Sequence, residues 1–358
     1  MKIVSLGGGT GLSTLLQGLK AWYPADPAPD LLEMVLEKAY GRQEPRVTDL
    51  SAVVAVSDDG GSSGRLRRDF RVLPPGDIRN CMVALSEDEA LLSKLFQFRF
   101  ASGQGLKGHS FGNLFLTALS GITGDFQEAI QVSSEVLAIR GHIYPSTMSD
   151  VRLEAELENG RVVKGETQIS RSRRPIRRIR LSPRNCRPVP KALEAIAQAD
   201  VITLGPGSLF TSLIPNLLVR GVATAIAQSR AARIFICNLM TQPGETNRFT
   251  AADHLRAVMD HAGGQRLFDY VMVNSGPISR SALRRYKATG ASQVNPGSGE
   301  LERMGVRVVA GDFVREKRTG PAAERWVRHD PSQLAKAVLD TCAAHRYWEE
   351  ATKSSGPA

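Results

Sequence analysis

An α/β fold built on a mainly parallel sheet follows from three features of this sequence. Short apolar runs recur at Lys2–Leu6, Val53–Ser57, Val201–Leu204, Ile234–Cys237 and Tyr270–Val273. Each is followed by a polar or glycine-rich loop, and each loop by helical periodicity. Apolar strands alternating with helices are the pattern of a parallel sheet covered on both faces. Ligands of such sheets bind beyond the carboxyl ends of the strands, where these loops lie. The expected class is a Rossmann-like three-layer sandwich with one small antiparallel excursion.

In chain order, Lys2–Leu6 is the first strand; it runs straight into glycines and is too short for a signal peptide's apolar region. Gly7–Gly11 is a glycine loop and Leu12–Trp22 a helix. Residues 23–49 are Pro-rich and charged, and read as a surface insertion with a short helix near Leu31–Tyr40. Val151–Leu157 alternates, Asn159-Gly160 is a hairpin turn, and Val162–Thr167 returns, so residues 151–187 form the β excursion. A single domain over residues 1–345 and a C-terminal tail over 346–358, disordered from Lys353, complete the expectation.

The 358 residues are ample for a buried core, and 42% hydrophobic with 23% charged residues is ordinary globular composition. No run of about 18 apolar residues is present, which argues against a membrane span. Cys81, Cys186, Cys237 and Cys342 are scattered without zinc spacing, fitting free thiols in a reducing compartment. A net charge of +10 favours an anionic ligand or partner without naming one. The arginines at 171, 173, 174, 177, 178, 180, 184 and 187 lack interleaved aromatics, so a solvated β face is favoured over a nucleic-acid surface.

Six segments carry the candidate chemistry. Gly7-Gly8-Gly9-Thr10-Gly11 follows a strand and opens a helix, so Gly8, Gly9, Thr10 and Gly11 offer backbone N–H groups to a phosphate. Leu12 stands where a nicotinamide-type G-x-G-x-x-G needs its third glycine, and no P-loop triplet occurs; a tight packing turn is the alternative. Asp58-Asp59 ends the second apolar run. Either acid suits a ribose hydroxyl, or the pair suits Mg²⁺, with Arg65 on phosphate oxygens; an acidic turn is the alternative. Asp77 and Asn80 follow a Pro-Pro-Gly turn and face a cleft or cap a helix. His109 and Asn113 lie in Gly108–Leu114, where His109 is a general acid/base, a phosphate donor or a structural residue. Gly205, Gly207 and Ser208 form a second glycine loop with a hydroxyl donor. In the next loop, Asn238 and Thr241 grip a sugar or base, or belong to a long turn capped by Thr250.

The blocks Gly7–Leu12, Asp58–Arg67, Pro74–Asn80, Gly108–Leu114, Gly205–Leu218 and Asn238–Thr246 resemble, in order, those of the YvcK/CofD-like family, from about Met1 to His329. Ser62–Arg67 and Met240–Thr246 resemble the YvcK branch, the gluconeogenesis factors, more than the CofD branch. The resemblance implies a cytoplasmic protein that binds UDP-N-acetylglucosamine and acts in cell morphogenesis and envelope precursor balance during gluconeogenic growth. It carries ligand contacts over to Tyr286 and Arg328. The CofD branch implies instead a Mg²⁺-dependent transferase of a phospholactyl group from a nucleotide-activated donor. Residues 23–49 depart from the family by length, and the family's regulatory threonine has no match near His329-Asp330-Pro331. A nucleic-acid-associated protein built on the arginines is the third class, and a homo-oligomer is compatible with all three.

Overall fold

The computed structural model describes residues 1–23, 46–87, 90–316 and 326–354. The expected insertion over 23–49, with its helix at 31–40, lies almost wholly outside the described residues. Seven strands form one parallel sheet: β1 (Lys2–Gly7), β2 (Asp49–Val54), β3 (His142–Pro145), β7 (Val201–Leu204), β8 (Ala232–Ile236), β9 (Tyr270–Asn274) and β10 (Arg307–Gly311). Their order is β10-β9-β8-β7-β1-β2-β3. Three further strands, β4 (Arg152–Leu157), β5 (Val162–Lys164) and β6 (Ile176–Ser182), make the antiparallel excursion in the order β5-β4-β6. A two-stranded ribbon joins β11 (Val314–Glu316) to β12 (Val327–His329).

β1 is central because both neighbours pair with it: Leu6 lies opposite Val53 on one side and Leu204 on the other. That register ends β1, β2 and β7 at one level, so their loops leave the same edge of the sheet. The first helix, Gly9–Lys20, buries Leu12, Leu15, Leu16 and Leu19, the i, i+3, i+4, i+7 stripe of an amphipathic helix. The long helix Pro331–Ser354 packs against it, burying Leu334, Val338 and Leu339. Among the described residues no single helix is long and apolar enough to cross a membrane. All four cysteines are free and buried. Local signals hold at helix starts: Ser110 caps Phe111–Thr123, and Thr250 with Asp253 forms a capping box on Ala251–His261.

Three expected boundaries move. The second strand starts earlier, at Asp49, and leaves the sheet at Val54, although Ala55 and Val56 stay buried. The return predicted over Val162–Thr167 stops at Lys164; Gly165 (φ 87°) turns the chain into a helix, Glu166–Ser172. Helix Pro331–Ser354 continues past 346, the expected start of a tail. The excursion's arginines are solvated as expected: Arg177 and Arg178 are exposed, and Arg177 and Arg180 pair with Glu156.

A Cβ at Gly11 would overlap the backbone carbonyl of Pro206. Gly11→Ala should therefore destabilise the fold by about 1–3 kcal/mol in urea unfolding, the usual cost of overpacking. Gly121→Ala, where an added Cβ meets nothing within 4 Å, should be neutral or stabilising. Equal stability of Gly11→Ala and wild type would refute the close approach.

Candidate functional site

The two glycine loops touch. Besides the contact of Gly11 with Pro206, Asn216 donates its Nδ2 hydrogens to Gly7 O (3.1 Å) and Ser212 O (2.8 Å). Gly7 O also accepts from Ala55 N (3.0 Å), so one carbonyl ties the ends of β1 and β2 to the chain after β7. Beyond Ser208 the chain makes a π-helical turn, Leu209–Leu213, before the helix Ile214–Leu217. Single π turns of this kind are frequent at functional sites.

A cavity of about 380 Å³ opens where the loops meet. Its walls include Thr10, Gly11, Gly207, Ser208, Asn238, Thr241, Tyr286, Arg328 and His329. Asn238 clamps the Gly207 peptide, accepting from its N–H (3.2 Å) and donating to its carbonyl (2.7 Å). Thr241 is buried, and its Oγ1 accepts from Ser292 N (2.9 Å). Ser208 Oγ lies 2.5 Å from Glu245 Oε2, which also accepts from Phe210 N (3.3 Å). The Tyr286 hydroxyl donates to Val327 O (3.4 Å) and accepts from Val327 N (3.2 Å), which holds β12 at the cavity. Tyr286 also packs against a small apolar cluster of Leu239, Ile278, Ala282 and Val327 beside the cavity. Arg328 is exposed and stacks on Trp326, 4.7 Å from its ring centroid. Burial holds His329 neutral, its pKa lowered to about 4.

Across the first glycine loop lies a wall of carboxylates. A Cβ at Gly8 would sit 2.6 Å from Asp77 Oδ2, so any larger residue would force this acid to shift. Burial, then the charge of Asp58, raises the Asp77 pKa to about 7, while the Gly9 N–H and Arg79 oppose the rise. Burial also raises Asp58, against hydrogen bonds from Gly60 N–H and the Ser63 hydroxyl. Burial and then Asp58 push Glu166 well up, and burial raises Glu245. Asp59 turns the other way, its Oδ1 accepting from Thr167 N (2.9 Å) and Thr167 Oγ1 (2.7 Å). Among the described residues no group of three or more His, Cys, Asp or Glu is arranged to hold a metal ion. Mg²⁺ uses one or two carboxylates together with water and ligand phosphates. Asp58 fits that role; the adjacent Asp58–Asp59 pair does not converge, because the two acids bind different elements.

The family model for 2-phospho-L-lactate transferase CofD matches residues 3–314. The chain belongs to the CofD family. It is 43% identical to the gluconeogenesis factor of Halalkalibacterium halodurans over 338 residues, covering 94% of this chain and 95% of that one. It is 42% identical to the gluconeogenesis factor of Bacillus subtilis over 339 residues, covering 95% of this chain and 97% of that one. A crystal structure of a Bacillus halodurans protein, 43% identical, superposes with a TM-score of 0.84 over 94% of this chain and 99% of that one.

Within this CofD-family fold the candidate residues fall into two groups. Thr10, Gly11, Gly207, Ser208, Asn238, Thr241, Tyr286 and Arg328 line the cavity. Asp58, Arg65, Asp77, Asn80, His109 and Asn113 lie outside its lining, and Gly8 and Gly9 stand between the groups. Gly205 is buried behind the loop, where a Cβ would lie 2.7 Å from Ile236 O. Asp77 makes no side-chain cap for its own helix, Gly76–Leu85; its hydrogen bond goes to Gly9 instead. Glu166, Glu245, Asn216 and His329 are the additions that sequence alone did not single out. Glu166 had no local signal, since its segment reads as a strand.

The raised Asp77 sets a pH dependence. The folded state keeps this proton up to about pH 7, whereas the unfolded chain releases it near pH 4. Asp77 therefore costs stability increasingly as pH rises from about 4 to about 7. Asp77→Asn should gain on wild type across that window, by on the order of 1–4 kcal/mol at pH 8 relative to pH 4. A difference between the two proteins that stays flat with pH in chemical denaturation would count against the protonated carboxyl.

Proposed function

We propose that this chain binds a nucleotide sugar of the UDP-N-acetylglucosamine type and acts as a cytoplasmic regulator of cell morphogenesis in gluconeogenic growth, without turnover. The observation that carries the reading is the single cavity where both glycine loops meet Tyr286 and Arg328. Its volume of about 380 Å³ falls in the range of small-molecule sites. The N–H groups at the start of helix Gly9–Lys20, apart from that of Gly9, which Asp77 engages, suit a diphosphate. Arg328 is placed to add a charge-assisted contact, and Tyr286 a flat face for a base or sugar. The relatives' name, gluconeogenesis factor, supports the physiological part.

A second reading is transfer of a phospholactyl-type group from a nucleotide-activated donor. The CofD match and the proximity of Asp58 to Asp77 favour it. In that case Asp58 would hold Mg²⁺ beside the ligand phosphates, and the ion would supply charge neutralisation there. Asp77, in its neutral form, would keep a proton next to Gly9.

Calorimetry with UDP-N-acetylglucosamine tests the first reading. Wild type should bind at low-to-mid micromolar or tighter, about 7–8 kcal/mol or more. Arg328→Ala should lose about 1.5–3 kcal/mol. Tyr286→Phe should retain more affinity than Tyr286→Ala, because the hydroxyl is already engaged by the Val327 backbone and the ring is what remains for a base or sugar. No binding by wild type, together with release of a nucleoside monophosphate from an activated donor, would transfer support to the second reading.

A further inference from the structure

Three arginines converge on three consecutive residues, Gly108, His109 and Ser110, outside the lining of the nucleotide cavity. Arg99 donates from Nη1 to Gly108 O (2.7 Å). A Cβ at Gly108 would lie 3.1 Å from Arg65 Nη2. Arg79 donates from Nη1 to Ser110 Oγ (2.6 Å) and from Nη2 to Asn80 Oδ1 (2.6 Å). Among the described residues none of the three has an ion pair, and Arg65 has no hydrogen bond either. The acids in range are Asp69, near His109, and Asp58 and Asp77, near Arg79.

Like charges gathered without a direct ion pair repel one another, so the cluster is poised for an anion. The backbone agrees in sign. Ser110 starts the 13-residue helix Phe111–Thr123, whose first N–H groups carry partial positive charge. Two polar atoms there are buried and lack partners: Nε of Arg79, and Oδ1 of Asn113, a residue only 2% exposed in the helix's first turn. The Asn113 amide can present either its oxygen or its nitrogen, so it can turn a donor to an incoming oxyanion. His109, held to Ser62 Oγ at 3.0 Å and kept neutral by burial and by Arg65, adds a further ring nitrogen without adding charge.

We infer that Arg65, Arg79, Arg99 and the start of helix Phe111–Thr123 form a second anion site, which takes the phosphate of a phosphomonoester separate from the nucleotide sugar. Several guanidinium forks match the three oxygens of such a group. Asp77 adjoins both sites, meeting Gly8 and Gly9 of the first glycine loop and acting on Arg79 of the cluster. This inference rests on the proposed function only in assigning the glycine-loop cavity to the first ligand.

Inorganic phosphate is the probe, titrated by calorimetry into wild type, Arg65→Gln, Arg99→Gln and Arg328→Ala, with folding followed by thermal melts. Arg65→Gln removes no hydrogen bond or ion pair among the described residues, so it should fold like wild type. Both cluster variants should bind phosphate about tenfold more weakly or worse. Arg328→Ala should bind it like wild type, and saturating UDP-N-acetylglucosamine should not displace it. Three results would overturn the inference: no phosphate binding by wild type, equal binding by Arg65→Gln, or a loss in Arg328→Ala matching that in the cluster variants. If wild type ignores the nucleotide sugar but loses phosphate binding on Arg65→Gln, the reading of the first cavity fails and the second site stands.

Discussion

The molecule's chemistry depends on how closely the backbone at the end of β1 can be approached. Gly8 and Gly11 leave no room for a Cβ, because the Asp77 carboxylate occupies one position and the Pro206 carbonyl the other. These contacts bring together chain segments about 70 and 200 residues apart in sequence. The Gly7 carbonyl, shared between Ala55 N and the Asn216 side chain, fixes the arrangement from the sheet side. A methyl group at Gly11 would push the two glycine loops apart, and one at Gly8 would displace the Asp77 carboxylate. The glycines are thus required by packing before any ligand arrives, and the same bare backbone is what a phosphate needs.

This geometry sorts polar groups by sign. One side of the first glycine loop faces the cavity of Tyr286 and Arg328. The other faces Asp58 and Asp77, with Glu166 near enough to feel both. Burying that much negative charge is costly, and the cost appears as carboxyl groups that hold their protons more firmly. Near the acids lie Arg65, Arg79 and Arg99, without an ion pair among the described residues. Sites whose titratable groups are pushed this far are where function concentrates, although structural networks do the same.

Much of this was legible in the sequence. Apolar runs followed by glycine or polar loops give strand, loop and helix in order, and the parallel sheet brings their carboxyl ends to one edge without further information. Gly7–Gly11, Asp58 and Gly205–Ser208 were found that way. What sequence could not tell was which side chains serve the ligand and which serve the scaffold. Asn238 and Thr241 look like donors to a sugar, yet the fold uses them on Gly207 and Ser292. Asp59 looks like half of a metal pair, yet Thr167, 108 residues away, takes it. Glu166 escaped notice because the strand ends at Lys164, three residues earlier than alternation suggests. Contacts of such long sequence separation leave no local signature.

Backbone hydrogen exchange in the presence and absence of UDP-N-acetylglucosamine tests the central claim most directly. If the two glycine loops jointly hold the diphosphate, the ligand should slow exchange at Gly8–Leu12 and at Gly207–Leu213 together, with added protection around Tyr286 and Val327–His329. Protection confined to a surface remote from both loops, such as the groove between helix Phe126–Val136 and helix Pro190–Gln198, would contradict it.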